Sequence, residues 1–470
     1  MGSDSKAIAK LKKNSRKLPT ELGFSGFKNR LLLNLPASFI FWLLKNFLVN
    51  SDYKLKREST KFFEYSNVAY GASQARRCDR LLVTALRLIS RDFDDDYVVL
   101  IRSAVRSTLN NAGKRPELSE NISEATKRLE ISKCDATGWY QLSRGLFSLG
   151  YFRAAQVARE NSLDLSILEG NSVDVSGTVL SRRLEAHLER REFAEVGWVL
   201  TGSHNQLSTK HLKHFGYFSS LFERGHAHLS DVGVSRNRKN GDLFRDLITG
   251  RTVAIVGPGT PHNDYGAEID SFDIVIRIKF IGNELLNVPN YHGTRTDISF
   301  IGAISAVKIQ EALLINNLKS FKLILSNQTP EDSIALVPIH EIEVDDVIYR
   351  TPTTSGIRTL KEVIKYSPSK VKVFGFDFYS TLTPYSKEMT EFYENSSWKF
   401  GHPNDFAKAG VYFKFARARD FSYHDPVSNF CFAQNLYKAG LFDIEPYGKS
   451  ILELTPYQYV ERLEEMLGDW

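Results

Sequence analysis

The sequence predicts an α/β fold: a doubly wound, mostly parallel sheet over residues 246–470, preceded by an α-helical domain over 61–245 and a basic amphipathic segment over 1–60. Three observations carry this. From Thr252 onward, short apolar β-branched runs alternate with helical stretches, the pattern of a parallel sheet with crossover helices. Upstream of residue 245 the apolar residues recur at helical spacing. The first 60 residues carry twelve Lys/Arg against four Asp/Glu, a net of +8, so the remaining 410 residues sum to −2 of the overall +6.

Composition narrows the function classes. With 470 residues, 42% of them hydrophobic and 25% charged, the chain is globular and long enough for two or three domains, each with its own core. A net charge of +6 on 61 basic and 55 acidic residues excludes a dedicated nucleic-acid coat. Three cysteines, Cys78, Cys134 and Cys431, exclude a disulfide-stapled scaffold and a four-cysteine zinc site, and fit a reducing compartment.

Taken in order, the apolar run Leu31 to Val49 is nearly as long as a membrane span, yet Asn34, Pro36, Ser38, Lys45 and Asn46 interrupt it. It follows Lys10, Lys12, Lys13, Arg16 and Lys17. A cationic stretch before a Phe/Trp/Leu-rich helix fits an interfacial anchor on anionic lipid. A spanning anchor and a buried core helix are the alternatives. Leu81, Leu82, Ala85, Leu86 and Leu88 then fit a helical period. The acids Asp94 to Asp96 fall in this helical region, before any nucleotide-binding strand, and read as a solvated loop rather than a metal site. Trp139 to Ala158 has the look of a tetratricopeptide-type helical hairpin, with Gly150 at the turn and Ala154, Ala155 and Ala158 allowing close approach. A weaker echo runs from Val179 to Leu200. Uneven spacing leaves two readings open, an irregular helical domain and a short repeat module that grips a partner or acceptor.

Strands are predicted at Thr252–Val256, Asp273–Arg277, Asp297–Phe300, Phe321–Leu325, Asp346–Tyr349 and Lys370–Phe374, with helices at Val307–Leu318 and Ile357–Tyr366. The first strand ends in Gly257-Pro258-Gly259-Thr260. A strand closing in Gly-x-Gly is how open α/β sheets place backbone N–H groups against a phosphate. Position 262 is His, so the third glycine of the dinucleotide fingerprint is missing and NAD is disfavoured.

Four blocks carry the candidate chemistry: Tyr265 to Arg277, Gly293 to Asp297, Thr353 to Ile357 followed by Val371 to Asp377, and Tyr423 to Phe430. In this order and spacing they resemble the large, small and very small motifs of the sialyltransferase family, over roughly residues 250–445. The resemblance implies a Rossmann-like catalytic domain. It also implies transfer of a nine- or eight-carbon 2-keto sugar acid from a CMP donor to a sugar hydroxyl, without a metal or other cofactor. It places Thr354, Ser355 and Gly356 at the family's nucleotide contacts, where they also open a helix whose N–H groups favour an anion. His424 matches the family's catalytic histidine and has the intrinsic pKa of a general base. Asp425 and Tyr423 flank it as orienting groups, and His402 stands where the family keeps a phosphate-binding histidine.

Certain positions depart from the family. Pro258 and Lys279 stand where the family has Asn, and Asn429 stands where its last motif has Glu. Lys279 is assigned a phosphate contact as a point charge. These three departures fit a variant that uses CMP-3-deoxy-manno-octulosonate in place of CMP-sialic acid. Neither motif block has a cysteine, unlike the disulfide-linked animal members, which points to a bacterial, cytosolic enzyme. A retaining course would need a carboxylate nucleophile, for which Asp270, Asp377 and Asp425 are the candidates. Glu268, Asp270, Asp273, Arg277 and Asp297 otherwise read as fixing the turn and sheet edge, with Arg277 and Asp297 able to pair, and His262, His292 and His340 as surface-loop histidines.

The sequence-level expectation is therefore a peripheral inner-membrane glycosyltransferase. Its partners are a CMP-sugar, a glycan or lipid-linked glycan acceptor and an anionic membrane surface, with no nucleic acid. The rival is a non-catalytic assembly protein with a degenerate nucleotide fold and a partner-binding helical region.

Overall fold

The apolar runs of the second half form strands β1 (Thr252–Val256), β2 (Ile274–Ile278), β3 (Ile298–Ile301), β4 (Leu323–Ser326), β5 (Ile339–Glu341), β6 (Val347–Ile348), β7 (Thr351–Pro352), β8 (Lys370–Phe374) and β9 (Asp443–Ile444). This computed structural model describes residues 95–109, 116–171, 175–202, 206–224, 240–259, 262–278, 289–301, 322–326, 337–342, 347–348, 351–381, 421 and 424–467. They belong to one compact unit, Leu86–Trp470. The Leu31 to Val49 segment, the Leu81 to Leu88 periodicity, Cys78 and the Val307–Leu318 helix lie outside the described residues.

A seven-stranded sheet has the order β5-β4-β3-β2-β1-β8-β9, and each pairing in it is parallel. Strand β1 lies at the heart, with Val253 level with Ile274 of β2 on one side and Val371 of β8 on the other. Strands β2, β3 and β4 are buried along their whole length, as is β1 beyond Thr252. Parallel strands covered on both faces read as unbroken apolar runs. The predicted strand at Asp346–Tyr349 is a correction: its described part, β6, pairs antiparallel with β7 in a separate two-stranded ribbon. The sheet edge is taken instead by β5, where Asn240 Nδ2 donates to the Ile339 carbonyl at 2.8 Å.

The helices are α1 (Asp95–Leu109), α2 (Pro116–Arg128), α3 (Ala136–Ser148), α4 (Phe152–Glu169), α5 (Gly177–Glu189), α6 (Phe193–Gly202), α7 (Thr209–Arg224), α8 (Gly241–Ile248), α9 (Gly266–Asp270), α10 (Pro289–His292), α11 (Ser355–Ile364), α12 (Pro426–Lys438), α13 (Pro446–Leu452) and α14 (Pro456–Leu467). Asp135 caps α3 by accepting from the Gly138 N–H at 2.8 Å. The chain then reverses at Gly150, whose φ of 81° is left-handed, and α4 packs back along α3 with Ala154, Ala155 and Ala158 buried. Helices α5 and α6 form a second hairpin, turning at Arg191 with φ 64°.

Helix α12 joins the helical segment to the sheet. Each residue from Pro426 to Leu436 is buried, which marks a helix enclosed on all sides. Phe432 meets Phe218 and Phe222 of α7, and Phe430 stacks on Tyr459 of α14 with centroids 4.3 Å apart. Asn435 donates to the Leu188 carbonyl of α5 at 3.0 Å and accepts from Arg191 at 2.7 Å, so its polar side chain is satisfied inside the core. Among the described residues, no helix is long and apolar enough to cross a membrane.

Candidate active site

The sheet's connections diverge at β1 and β8. From β1 the chain proceeds to β2 on one side, and from β8 to β9 on the other. In open α/β sheets, the crevice at the carboxyl ends of two such strands is where ligands bind. The turns at those ends are Gly257-Pro258-Gly259 after β1 and Gly375-Phe376-Asp377 after β8.

These turns are in direct backbone contact. A β-carbon on Gly257 would lie 2.5 Å from the Gly375 carbonyl oxygen, and one on Gly259 would lie 2.6 Å from it. The Gly257 N–H donates to the Phe374 carbonyl at 2.7 Å and the Gly259 N–H to the Gly375 carbonyl at 3.2 Å. This corrects the sequence expectation. Both amides assigned to a phosphate are used between the two turns, and the glycines are needed for chain-on-chain approach. Gly257→Ala is therefore expected to destabilise the fold by about 1–3 kcal/mol, because a backbone carbonyl cannot swing aside as a side chain can; a melting temperature equal to that of the parent would contradict this packing.

Helix α11 brings its tip to the same place. A β-carbon on Gly356 would lie 2.2 Å from Phe376, the residue whose ring also flanks Gly257. Ser355, Gly356 and the residue after them contribute first-turn N–H groups, which have no acceptor within their own helix. The tip is also tied to α12: the Thr354 N–H donates to Asn429 Oδ1 at 2.9 Å, and Asn429 Nδ2 donates to the Asp425 carbonyl at 2.9 Å. His424, partly exposed, directly precedes that cap residue. The structure thus brings Gly257, Pro258, Gly259, Thr354, Ser355, Gly356, His424 and Asp425 to neighbouring turns. Thr260, Lys279, His402 and Tyr423 lie outside the described residues.

Asp425 is a clamp. Its Oδ1 accepts the Val427 and Ser428 N–H groups at 3.0 and 3.1 Å, capping α12. Its Oδ2 accepts from Arg159 of α4 and, at 3.1 Å, from the Tyr140 hydroxyl of α3, with Arg144 at 3.7 Å. Arg159 also holds Glu189 of α5 in a bidentate pair at 2.8 and 2.6 Å and donates to Ser428 at 2.6 Å. Burial by itself would raise the Asp425 carboxyl, but Arg159, Arg144 and the capping amides pull it down to about 2. Fully buried and bonded through both oxygens, Asp425 is removed from the candidates for a reacting carboxylate.

The other acids sort similarly. Asp270 accepts from the N–H groups of Thr294 and Arg295 and from the Thr294 hydroxyl, at 2.8 to 3.0 Å, and these bonds hold it below the ordinary range against the opposing effect of burial. Asp273 holds Thr252 at 2.9 Å, and Glu268 pairs with Lys372 at 2.5 Å. Asp297 pairs with Arg295 and Lys322 at 3.0 and 2.8 Å, while Arg277 donates to the His292 and Arg295 carbonyls and to Thr296. Asp377 accepts from the Tyr379 N–H at 3.1 Å and from the Thr381 hydroxyl, in a turn where Phe378 and Tyr379 both hold left-handed φ, 48° and 64°. Adjacent aromatic residues in that region are strained, and the turn is fixed by Tyr459, whose hydroxyl donates to the Phe378 carbonyl at 2.5 Å.

Two histidines correct the sequence reading. His340 is buried in β5, 3.0 Å from Glu362 of α11 and stacked on Phe244 at 4.7 Å. His292 is buried in α10, its carbonyl held by Arg277 at 2.6 Å. His340 is held inside by its ring bond to Glu362, whereas at His292 the charged partner meets the main chain. His262 is exposed, beside Tyr447. Cys431 is a buried thiol in α12.

Sequence reasoning missed Glu445. It stands between β9 and α13, 2% exposed, and accepts the Gly375 N–H at 3.2 Å. Burial pushes its carboxyl up to about 7. A Glu before Pro446 signals a helix start and nothing more. Among the described residues, no cluster of three or more His, Cys, Asp and Glu could hold a metal ion.

Comparison with protein-family models, with curated proteins and with solved structures finds no match. The fold defines the class: an α/β protein with a parallel seven-stranded sheet.

Proposed function

We propose that this chain is a glycosyltransferase that moves a 2-keto sugar acid, sialic acid or 3-deoxy-manno-octulosonate, from a CMP donor to a glycan hydroxyl in surface-polysaccharide synthesis. What supports it is one juxtaposition: the tip of α11 and the His424 end of α12 are bonded through Asn429 beside the switch-point turns. The motif order read from the sequence adds to this. In this reading the α11 tip receives the donor phosphate, the role the Gly257 and Gly259 amides cannot fill. His424 takes the proton of the acceptor hydroxyl as its oxygen bonds to the anomeric carbon, and the bond to CMP breaks with its electron pair leaving on the phosphate. With Asp270, Asp377 and Asp425 each accepting hydrogen bonds that fix local turns or helix ends, a single displacement is the course we assign. No metal enters this scheme, and the basic residues 1–60 would hold the enzyme at the cytoplasmic face of the inner membrane.

Calorimetry with CMP and a turnover assay with both CMP-sugars test this. His424→Ala is expected to lower turnover by about 10²–10⁴-fold with CMP affinity nearly unchanged. A non-catalytic assembly role is the second reading, favoured by the internal use of the Gly257 and Gly259 amides. It is the one that stands if millimolar CMP does not bind and neither sugar is transferred.

A further inference from the structure

A buried acid lies one hydrogen bond from the crevice and has no part in the reaction above. The main chain of Glu445 is fastened to β8 and its side chain to the turn that follows. Its N–H donates to the Val373 carbonyl at 3.2 Å, and its Oε1 accepts the Gly375 N–H at 3.2 Å. Gly375 in turn accepts the Gly259 N–H at 3.2 Å. A continuous line of contacts therefore runs from β9 through the β8 turn to the β1 turn. Glu445 Oε2 is buried without a hydrogen-bond partner among the described residues.

The surroundings do not neutralise this carboxylate. On β8, Lys372 is the facing cation, and it is engaged by Glu268 at 2.5 Å. In the turn after β8, Asp377 adds a like charge. On α13, Tyr447 is occupied with Ser380 and with Arg462 of α14, and Lys449 is directed to Glu453 at 3.8 Å. Helix α12 meets the end of α13 through neutral Gln434, and Asp443 of β9 is exposed. A carboxylate in such a place raises the cost of bringing a second negative group nearby.

We propose that Glu445 is a positioning residue of the switch-point crevice, which receives an anionic nucleotide together with a proton held on this carboxyl. The inference rests on the CMP reading. Protonated, Glu445 keeps its bond from Gly375 and adds no charge. Ionised, it opposes the phosphate. Burial, which holds its carboxyl up to about 7, puts the change near neutrality.

Titration calorimetry with CMP between pH 6 and 8.5, in buffers of different ionisation enthalpy, reads the proton directly. For the full-length protein, proton uptake is expected above neutrality, with affinity falling by up to about tenfold per pH unit. The CMP phosphate itself takes up protons in this window, so the comparison is with Glu445→Gln, which keeps the acceptor oxygen and is expected to lose the proton uptake that belongs to Glu445. Lys372→Met, which removes the facing cation, is expected to move the midpoint to higher pH and keeps the test open should Glu445→Gln not fold. An unchanged proton count in Glu445→Gln, or an unmoved midpoint in Lys372→Met, overturns the inference and leaves the CMP reading standing. Absence of CMP binding in all three proteins overturns both.

Discussion

Arg159→Met is expected to destabilise the protein by about 3–5 kcal/mol. Arg159 is buried between two carboxylates, Glu189 and Asp425, and removing its charge leaves both without their main partner in a site that water does not reach. The loss should appear as a lower denaturant midpoint. Asp425→Asn separates the two roles of that residue, because Asn is as good an N-cap as Asp; what it loses is the charge network alone. A loss below about 1 kcal/mol for Arg159→Met, the range of exposed ion pairs, would refute the buried clamp. The clamp also fixes the first turn of α12, immediately after His424. On the proposed chemistry, the same variants should reduce turnover more than they reduce CMP affinity.

Stability should fall as pH rises from about 4.5 to 7, through Glu445. Its folded carboxyl is raised from 4.5 to about 7, so the folded state binds the proton more tightly than the unfolded chain does. The stabilisation from the protonated form is complete below 4.5 and is lost as pH passes through 7. At about 1.4 kcal/mol per pH unit, the difference approaches roughly 3 kcal/mol. Glu445→Gln should match the parent near pH 4.5 and exceed it above pH 7. Parallel stability curves for the two proteins across this window would show that Glu445 does not hold its proton in the folded state.

The sheet was legible where apolar residues run unbroken, as in β1, or alternate with polar ones, as in β8. Both ends of β1 and β8 coincide with the predicted Thr252–Val256 and Lys370–Phe374. Strand β5 was not legible, because His340 stands at its centre and its burial depends on Glu362, 22 residues onward. Two-residue strands such as β9 leave no periodicity to read. At the crevice, Gly257 and Gly259 correctly signalled a close approach, but sequence could not say what approaches. The neighbour is the Gly375 turn. Glu445 and the Arg159–Asp425 pair were invisible for a related reason: each is defined by a partner far along the chain, 70 and 266 residues away.

That last separation sets a timetable for biosynthesis. A ribosome adds about 5–20 residues each second, so the nascent helices that carry Arg159 and Glu189 wait on the order of tens of seconds for the carboxylate that completes their cluster. Until α12 emerges, Phe218 and Phe222 also lack the Phe432 ring that covers them. Chains that stall or terminate before residue 426 present this uncovered surface to chaperones and proteases, and quality control can distinguish them from finished molecules by that exposure alone.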